Sequence, residues 1–321
     1  MDEISRIIIP VKNKVRSLCW QGDDLVDPVG GWVRYKLDGT IDASKVFYAF
    51  RFDRAVISNN GNYSVIYEEL GTKGLILKND NLIREINRSY YCAGAYEYPV
   101  VLFNLPDGTD VVAHCPDNYN VIEIEEVATG KRLTYRKGPS MDFFHSRLQV
   151  SPDGKYLMSA GWIWHPFDTI QLFDLERVLD DPQTLDKTWE CDLMAEGVEE
   201  IHSATFNGSD LIVFGGDSEE TNPRLVVFSI HDRKALSSSP LESPAGTLMA
   251  LGDLAISFYE HPKLLDLVTG KVLRRWPELQ SGLQNSSIIH HHDPPPPIAL
   301  DPLNRRFAIA NSEAITVIQL G

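Results

Sequence analysis

The spacing of turn residues restricts the fold of this chain most strongly. Short apolar runs are broken by glycine, aspartate, asparagine and proline at intervals of about ten residues, and helical periodicity is nearly absent. Runs of this length, bounded by turn residues, are typical of strands in an antiparallel meander, in which tight turns join neighbouring strands. The spacing therefore predicts an all-β protein.

Some of these units resemble one another. Residues 148–161, LQVSPDGKYLMSAG, read as strand, tight turn and strand, and IQLFDL at 170–175 follows as a third strand. Residues 263–273, KLLDLVTGKVL, read as strand, Thr-Gly-Lys turn and strand, and EEVATGKRL at 125–133 repeats that ending. The chain therefore contains a divergent internal repeat.

These phrases resemble the blades of WD40-type β-propellers, whose usual phrases are S-P-D-G-K-x-L-A-S-G and L-W-D-L-x-T-G-K. The match is good over 145–175 and 263–273 and fair over 121–134. No Trp-Asp dipeptide occurs, and Phe173-Asp174 and Leu265-Asp266 stand in its place. The resemblance implies an all-β, WD40-like β-propeller that has diverged from the usual pattern.

Seven units fit when the second strand of each unit is aligned. The anchors recur at a mean spacing of about 47 residues, slightly above the roughly 40–45 of WD40 repeats. They are Leu25, Tyr63, Val111, Tyr156, Leu211, Leu254 and Phe307. We predict seven four-stranded blades; six blades, one of them decorated, is the alternative.

The last blade, 297–321, contains only three strands of its own. The N-terminal strand 4–11 belongs to no other unit, so we expect it to complete this blade and close the ring. Closure removes exposed strand edges, which would otherwise pair with other chains. Residues 1–321 are therefore predicted to form a single β-propeller domain, with Pro294–Pro297 as a stiff lead-in to the last blade.

The chain is strongly acidic. It has 45 Asp and Glu against 30 Lys and Arg, a formal net charge of −15. This balance argues against binding to nucleic acid, because contact with its phosphates needs clustered Lys and Arg side chains. It favours a basic protein partner. The sequence shows neither a signal-peptide core nor an apolar membrane span, and its four cysteines are scattered. We expect a cytoplasmic monomer that binds no membrane and no cofactor.

Acids concentrate on one predicted face. In a meander, the loop between the second and third strands shares a face with the loop between blades, and we call this the upper face. Residues 190–220 hold nine acids and no Lys or Arg. Six of them are predicted on the upper face: Glu196, Glu199, Glu200, Asp217, Glu219 and Glu220. A basic partner is one explanation, and a solvated surface kept for solubility is the other.

Aromatic side chains lie in two neighbouring upper-face loops. The connection GWIWHPFD at 161–168 carries Trp162, Trp164, His165 and Phe167, and the inter-blade loop at 90–96 carries Tyr91 and Tyr96. Exposed aromatics are common anchors of protein interfaces. We predict that these six residues bind a partner; the alternative is that the two tryptophans pack between blades.

Histidines raise the possibility of a metal. His145 and His202 precede the first strands of blades four and five, and His290 and His292 belong to a contiguous His-His-His-Asp run. Adjacent residues of an extended chain point in opposite directions, and the spacing matches no established ligand motif. The resemblance implies structural roles for His145 and His202, bonded within their blades. No metal is predicted.

The sequence as a whole predicts a non-catalytic protein-interaction module. Its upper face would bind a basic partner through aromatics ringed by acids, as a scaffold or as an inhibitor of the immunity-protein type. The alternative is a metal-dependent hydrolase, lactonase or lyase with a His and carboxylate site at the channel mouth. No nucleophile elbow, phosphate loop or zinc-protease motif supports that alternative.

Overall fold

The chain folds into seven antiparallel sheets arranged as blades around a ring. The structure, a computed structural model, describes residues 1–42, 46–189, 191, 193–217, 222–289 and 294–321. Within these residues five sheets have four strands and two have three. First strands of neighbouring blades pack together, as β2 does against β6 and β24 in the numbering given below. The predicted seven-bladed, all-β propeller is confirmed.

The strands of the first half occur in chain order. They are β1 (Glu3–Pro10); β2 (Cys19–Gln21), β3 (Asp24–Asp27), β4 (Val33–Tyr35) and β5 (Ile41–Asp42) in blade 1; β6 (Arg54–Ile57), β7 (Tyr63–Tyr67), β8 (Lys73–Lys78) and β9 (Asn81–Asn87) in blade 2; and β10 (Val100–Asn104), β11 (Asp110–His114) and β12 (Glu123–Glu126) in blade 3.

The second half continues the same order. It contains β13 (Leu148–Val150), β14 (Tyr156–Ile163) and β15 (Phe167–Asp174) in blade 4; β16 (Glu200–Asn207), β17 (Asp210–Gly216), β18 (Arg224–Ser229) and β19 (Lys234–Pro240) in blade 5; β20 (Leu248–Leu251), β21 (Leu254–Ser257), β22 (Lys263–Asp266) and β23 (Val272–Arg275) in blade 6; and β24 (Ile298–Asp301), β25 (Arg306–Ala310) and β26 (Ala314–Leu320) in blade 7. Each predicted second-strand anchor lies in the second strand of its blade.

Among the described residues, the helices and 3₁₀ turns all lie in one connection. The α-helix α1 (Leu175–Asp180) and 3₁₀ turns at Pro182–Asp186 and Met194–Glu196 join blades 4 and 5. The carboxylate of Asp174 caps α1 by accepting from the backbone N–H of Arg177 at 3.1 Å. Among the described residues, no helix is long and apolar enough to span a membrane.

The turn phrases that mark the blades have a structural cause. In S-P-D-G-K, the hydroxyl of Ser151 donates to Asp153 (2.6 Å) and accepts from the backbone N–H of Lys155 (3.1 Å). Gly154 and, in the T-G-K phrase, Gly270 have φ of 72° and 69°, a left-handed conformation that glycine adopts without steric cost. These residues therefore specify where each strand reverses.

The two ends of the chain meet in one sheet. Strand β1 pairs antiparallel with β26, with Ile7 opposite Val317 and Ile9 opposite Ile315. Ile9 is fully buried and belongs to a cluster that includes Leu25 of blade 1. The predicted closure is confirmed, since the N-terminal strand supplies the outer strand of blade 7.

Removing the buried side chain of β1 should weaken the closed ring. We expect Ile9→Ala to lower the free energy of unfolding by about 2–4 kcal/mol, because it leaves a cavity between blades 7 and 1. Ile8→Ala is the matched control, because Ile8 is 61% exposed, and it should change stability by less than about 0.5 kcal/mol. Urea denaturation measures both, and equal effects would contradict the closure account.

Candidate functional site

The upper face brings together the loops that the sequence analysis selected. The backbone N–H of Glu199 donates to the carbonyl of Gly216 at 2.8 Å, so the start of β16 lies beside the end of β17. The connections before β10 and β13 and the hairpin between β14 and β15 meet through backbone and ring contacts described below. The face is therefore continuous across blades 3, 4 and 5.

The hairpin of blade 4 is longer than the sequence predicted. Residues 161–168 were expected to form a loop, but β14 continues to Ile163 and β15 begins at Phe167, which pair directly. Only 164–166 form the turn, and His165 there has φ of 91°. Because side chains alternate along a strand, Trp162 points into the protein and Ile163 points out.

Six aromatic side chains form one cluster on this face, and we call it the aromatic cluster. Its members are Tyr91, Tyr96, Tyr119, Phe144, Trp162 and Trp164. The ring of Phe144 stacks on Trp162 with centroids 3.7 Å apart and planes at 4°, and on Tyr119 at 4.4 Å. The backbones of Phe144 and Trp162 also exchange hydrogen bonds of 2.9 and 3.3 Å. The base of the cluster is thereby fixed.

The outer rings of the aromatic cluster remain accessible. Trp164 is 45% exposed and Tyr91 is 48% exposed, and their centroids are 6.3 Å apart at an angle of 73°. Trp164 also contacts Trp162 edge-on at 5.3 Å. His165 is exposed and Phe167 is half-buried. A partly exposed ring that packs against buried rings offers apolar area to a partner and loses little conformational entropy when the partner covers it.

Two predicted partner contacts need correction. Trp162 and Tyr96 are buried, so neither can touch a partner directly. Strand alternation buries Trp162. Tyr96 forms an isolated β-bridge with Ile288, and the guanidinium of Arg88 lies 4.6 Å from the centroid of its ring. Both support the accessible rings from below.

The sequence analysis missed two members of the aromatic cluster. Phe144 comes directly before His145, and Tyr119 lies in the loop between β11 and β12, where it donates a 2.6 Å hydrogen bond to Asp142. Burial and the Asp142 carboxylate raise the pKa of Tyr119. The sequence feature that could have identified Phe144 is its position directly before the inter-blade histidine His145.

The predicted acids differ in exposure. Glu199 is exposed, whereas Glu196, Glu200 and Asp217 are half-buried. The carboxylate of Asp217 accepts a 2.7 Å hydrogen bond from the side chain of Asn222. Glu219 and Glu220 lie outside the described residues.

His202 takes part in a polar cluster that joins blades 4 and 5. Its Nδ1 lies 3.1 Å from the carboxylate of Asp168, which also accepts from the hydroxyl and the backbone N–H of Ser287. Glu200 accepts from the backbone N–H of Asp168 at 3.1 Å. Burial disfavours ionisation of Asp168, but the His202 hydrogen bond and the charge of Arg147 hold the pKa of Asp168 below its usual value.

The same three residues could hold a metal ion. One ligand atom from each of Asp168, Glu200 and His202 lies within 4.8 Å of the others. Nitrogen and carboxylate oxygen donors suit zinc and similar metals. The predicted candidates His290 and His292 lie outside the described residues.

His145 is bonded inside its own blade. Its Nδ1 lies 3.1 Å from the hydroxyl of Ser159, and its ring packs against Phe143 and Phe173. Burial, with the nearby charge of Arg136, lowers the pKa of His145 to about 3. The ring is therefore neutral near pH 7, as a structural histidine requires.

The connection from blade 6 to blade 7 also lies on this face, as the other loops between blades do. We call residues 276–289 the crossing segment. Its Gly282 forms an isolated β-bridge with Glu260, and its Ile288 forms one with Tyr96. The backbone N–H of Ile289 donates to the carbonyl of Ala95 at 2.8 Å. The segment thus spans the channel mouth from blade 6 to the loop before blade 3.

The low pKa of His145 predicts a measurable pH dependence of stability. Below pH 6.5 the unfolded chain binds a proton at this histidine, whereas the folded chain does not until about pH 3. The contribution of the neutral His145 ring to the free energy of unfolding is therefore fully present above pH 6.5, and it is lost as the pH falls below 6.5. From pH 7 to pH 5, the wild type should lose about 2 kcal/mol more than His145→Gln in chemical denaturation. Equal losses would contradict this assignment.

Comparisons with known proteins identify the fold and no sequence family. No protein-family model and no curated protein matches the chain. Solved structures do match. Hydrazine synthase of Kuenenia stuttgartiensis has a TM-score of 0.61 and 13% identity, with 97% of both chains covered. A chain of the mitotic checkpoint complex has a TM-score of 0.60 and 11% identity over 99% of this chain and 91% of that one, and the Cps50 (Swd1) β-propeller domain of Myceliophteria thermophila has a TM-score of 0.57 and 11% identity over 98% of this chain and 100% of that one. The chain therefore has the fold of a seven-bladed β-propeller.

Proposed function

We propose that this protein is a non-catalytic interaction module whose upper face binds a basic segment of a protein partner. The observation that carries the proposal is the pair of half-exposed rings, Trp164 and Tyr91, mounted on the buried stack of Phe144 and Trp162. In this proposal the protein acts as a cytoplasmic monomer and binds neither nucleic acid nor membrane.

The arrangement of the rings suits a binding surface. A side chain that is already ordered loses little entropy when a partner covers it, so more of the contact energy remains as affinity. Trp164 is held edge-on against Trp162 and Phe144, at 5.3 Å from each. Tryptophan and tyrosine also dominate the energetic centres of known interfaces.

Charge favours a basic partner. Asp142 and Glu199 are exposed on this face, and the chain as a whole carries −15. Negative potential accelerates encounter with a basic protein, and Lys or Arg side chains gain cation–π energy over an exposed indole or phenol ring. A similar structure comes from a multiprotein complex, which agrees with an interaction role.

The same surface would serve either of two roles. A scaffold would hold its partner beside other proteins. An inhibitor of the immunity type would cover a functional surface of a basic protein. The excess of acid supports both roles equally, and the identity of the captured partner would separate them.

Truncating the exposed rings should weaken partner binding strongly. We expect Trp164→Ala combined with Tyr91→Ala to weaken binding of the partner captured from the native host at least tenfold, as for interface anchors elsewhere. The matched control is Tyr135→Ala, because Tyr135 is an exposed tyrosine outside the aromatic cluster. Calorimetry with the purified partner measures the affinity, and unchanged binding by the double variant would overturn the proposal.

Charge reversal tests the second half of the proposal. Glu199→Lys should slow association several-fold at low salt, and the difference from wild type should shrink at high salt. Glu176→Lys, at an exposed position on α1, is the matched control. If the partner binds the Glu199→Lys variant more tightly than it binds the wild-type protein, the partner is not basic, and this half of the proposal is wrong.

The enzyme alternative depends on the cluster of Asp168, Glu200 and His202. If the protein is a binding module, elemental analysis of protein purified from its native host should find transition metal far below one equivalent. One equivalent in the wild type, lost in His202→Asn while circular dichroism stays unchanged, would instead support a metal-dependent enzyme.

A further inference from the structure

Blade 4 differs from the other blades at its outer edge. In the five four-stranded blades, the outermost strand pairs with the third strand of the blade. In blade 3, residues 131–133 run beside β12, and the backbone N–H of Leu133 donates to the carbonyl of Ile124 at 2.8 Å. In blade 4 the chain instead passes directly from β15 into α1, and within the described residues no strand pairs with the outer edge of β15.

The register of β15 shows which backbone groups this edge offers. The N–H of Leu175 donates to the carbonyl of Lys155, directly before β14, at 2.8 Å. The N–H of Asp168 points the other way and donates to a carboxylate of blade 5 at 3.1 Å. Because the residues of an antiparallel strand alternate in this respect, Leu172 and Asp174 also direct their backbone groups away from β14.

A cavity of about 700 Å³ lies against this edge. Leu172, Phe173 and Asp174 form one wall, and α1, the next 3₁₀ turn, residues 187–189 and the turn between β18 and β19 form the others. Within the described part of the chain, the N–H and carbonyl groups of Leu172 and the N–H of Asp174 have no hydrogen-bond partner. Unpaired groups on a strand edge are a template for another strand.

The open stretch of this edge is short. The backbone N–H of Trp189 donates to the side-chain carbonyl of Gln171 at 2.8 Å, so this part of the chain lies beside Gln171 and bounds the cavity at that end. The three residues Leu172–Asp174 span about 7 Å at the usual rise of a strand. The edge can therefore pair with about three residues of an added strand.

Both sides of the cavity are apolar. Leu172 and Ile230 belong to the hydrophobic cluster between blades 4 and 5, and Trp189 packs against that cluster. Phe173 and Val178 belong to the cluster between blades 3 and 4. Side chains of a strand point alternately to opposite sides. A strand paired with β15 would therefore bury apolar side chains at successive positions.

The rim of the cavity carries unpaired positive charge. The charged side chains that line the cavity are Asp174, Arg177, Asp180, Asp181, Lys187 and Arg233. The carboxylates of Asp174 and Asp181 accept backbone hydrogen bonds of 3.1 Å at the starts of α1 and of the next 3₁₀ turn, and Lys187 lies 3.8 Å from Asp181. Among the described residues, the guanidinium groups of Arg177 and Arg233 form no ion pair, which leaves them against the carboxylate of Asp180. They favour acidic side chains in a segment that emerges from the cavity.

We propose that this cavity binds an extended segment of a partner protein, which adds to β15 as the fourth strand of blade 4. The segment has apolar residues where it pairs with Leu172–Asp174, and aspartate or glutamate next to them, beside Arg177 and Arg233. Main-chain hydrogen bonds supply affinity and the apolar walls supply selectivity, as in other cases of strand addition to a sheet edge. The site lies at the end of blade 4 opposite the upper face, so it goes beyond the proposed function.

A display library of random decapeptides is the probe for this site. Selection on the wild-type protein should enrich peptides in which two or three adjacent apolar residues are flanked by aspartate or glutamate. The best of these peptides, made synthetically, should give a saturable calorimetric binding curve. Failure to enrich any such peptide would overturn the proposal.

Amide hydrogen exchange, measured by NMR, tests whether the peptide pairs with β15. In the free protein, the amides of Leu172 and Asp174 should exchange faster than the amide of Phe173, which faces β14. Bound peptide should slow exchange at Leu172 and Asp174 at least tenfold, because their N–H groups gain partners. Unchanged exchange at both residues in the complex would contradict strand addition.

Charge reversal tests whether the peptide emerges beside the two arginines. Arg177→Glu combined with Arg233→Glu should weaken peptide binding at least tenfold, with folding checked by circular dichroism. Arg51→Glu is the matched control, because Arg51 is exposed and does not line the cavity. Equal affinity of the double variant and the control would contradict the assignment.

The two proposals can fail separately. Trp164→Ala combined with Tyr91→Ala should leave the affinity for the selected peptide unchanged, because neither residue lines the cavity. Loss of peptide binding in this variant would place the peptide on the aromatic cluster and would contradict the cavity assignment.

Discussion

Closure of the ring by the two ends of the chain is the constraint on which the rest of the structure depends. Strand β1 pairs with β26 over most of its length, so the last blade gains its fourth strand only when residues 3–10 and 314–320 meet. Sheet edges that would otherwise attract other chains are removed from the junction. The blades follow one another in chain order, so the loops of blades 3, 4 and 5 lie side by side, and the connection to blade 7 crosses the channel mouth.

The upper face gains its character from side chains that are themselves buried. Phe144, from the connection before β13, stacks face to face on Trp162 of β14, and Trp164 and Tyr91 pack against that stack. The half-exposed rings are thus held by the core of blade 4 instead of by the loops alone. A rigid aromatic surface beside the exposed carboxylate of Asp142 is the physical basis of the proposed interaction role.

The fold could be predicted because its signals are local. Turn phrases such as Ser151–Lys155 specify reversals through their own hydrogen bonds, and strand spacing then gives the blade count. The resemblance to WD40-type blades also implied the structural role of His145, which precedes a first strand. These features depend on residues close together in the chain.

The site was less predictable because it depends on contacts between distant segments. Strand β14 extends past Gly161 into the expected loop, and Trp162 is therefore buried and not presented to solvent. No sequence motif in the crossing segment predicts that Ser287 contacts Asp168 or that Ile288 pairs with Tyr96. In both pairs the two residues are more than a hundred positions apart in the chain. Side chains gathered by such long-range contacts have no signature in the sequence.

Site-specific photo-crosslinking tests the central claim most directly. A photoreactive phenylalanine analogue in place of Trp164, introduced in the native host, should yield a discrete covalent adduct with a basic protein after irradiation. The same analogue in place of Tyr135 should yield none. An adduct from position 135 alone, or adducts from neither position, would contradict the account that the aromatic cluster of the upper face binds a partner.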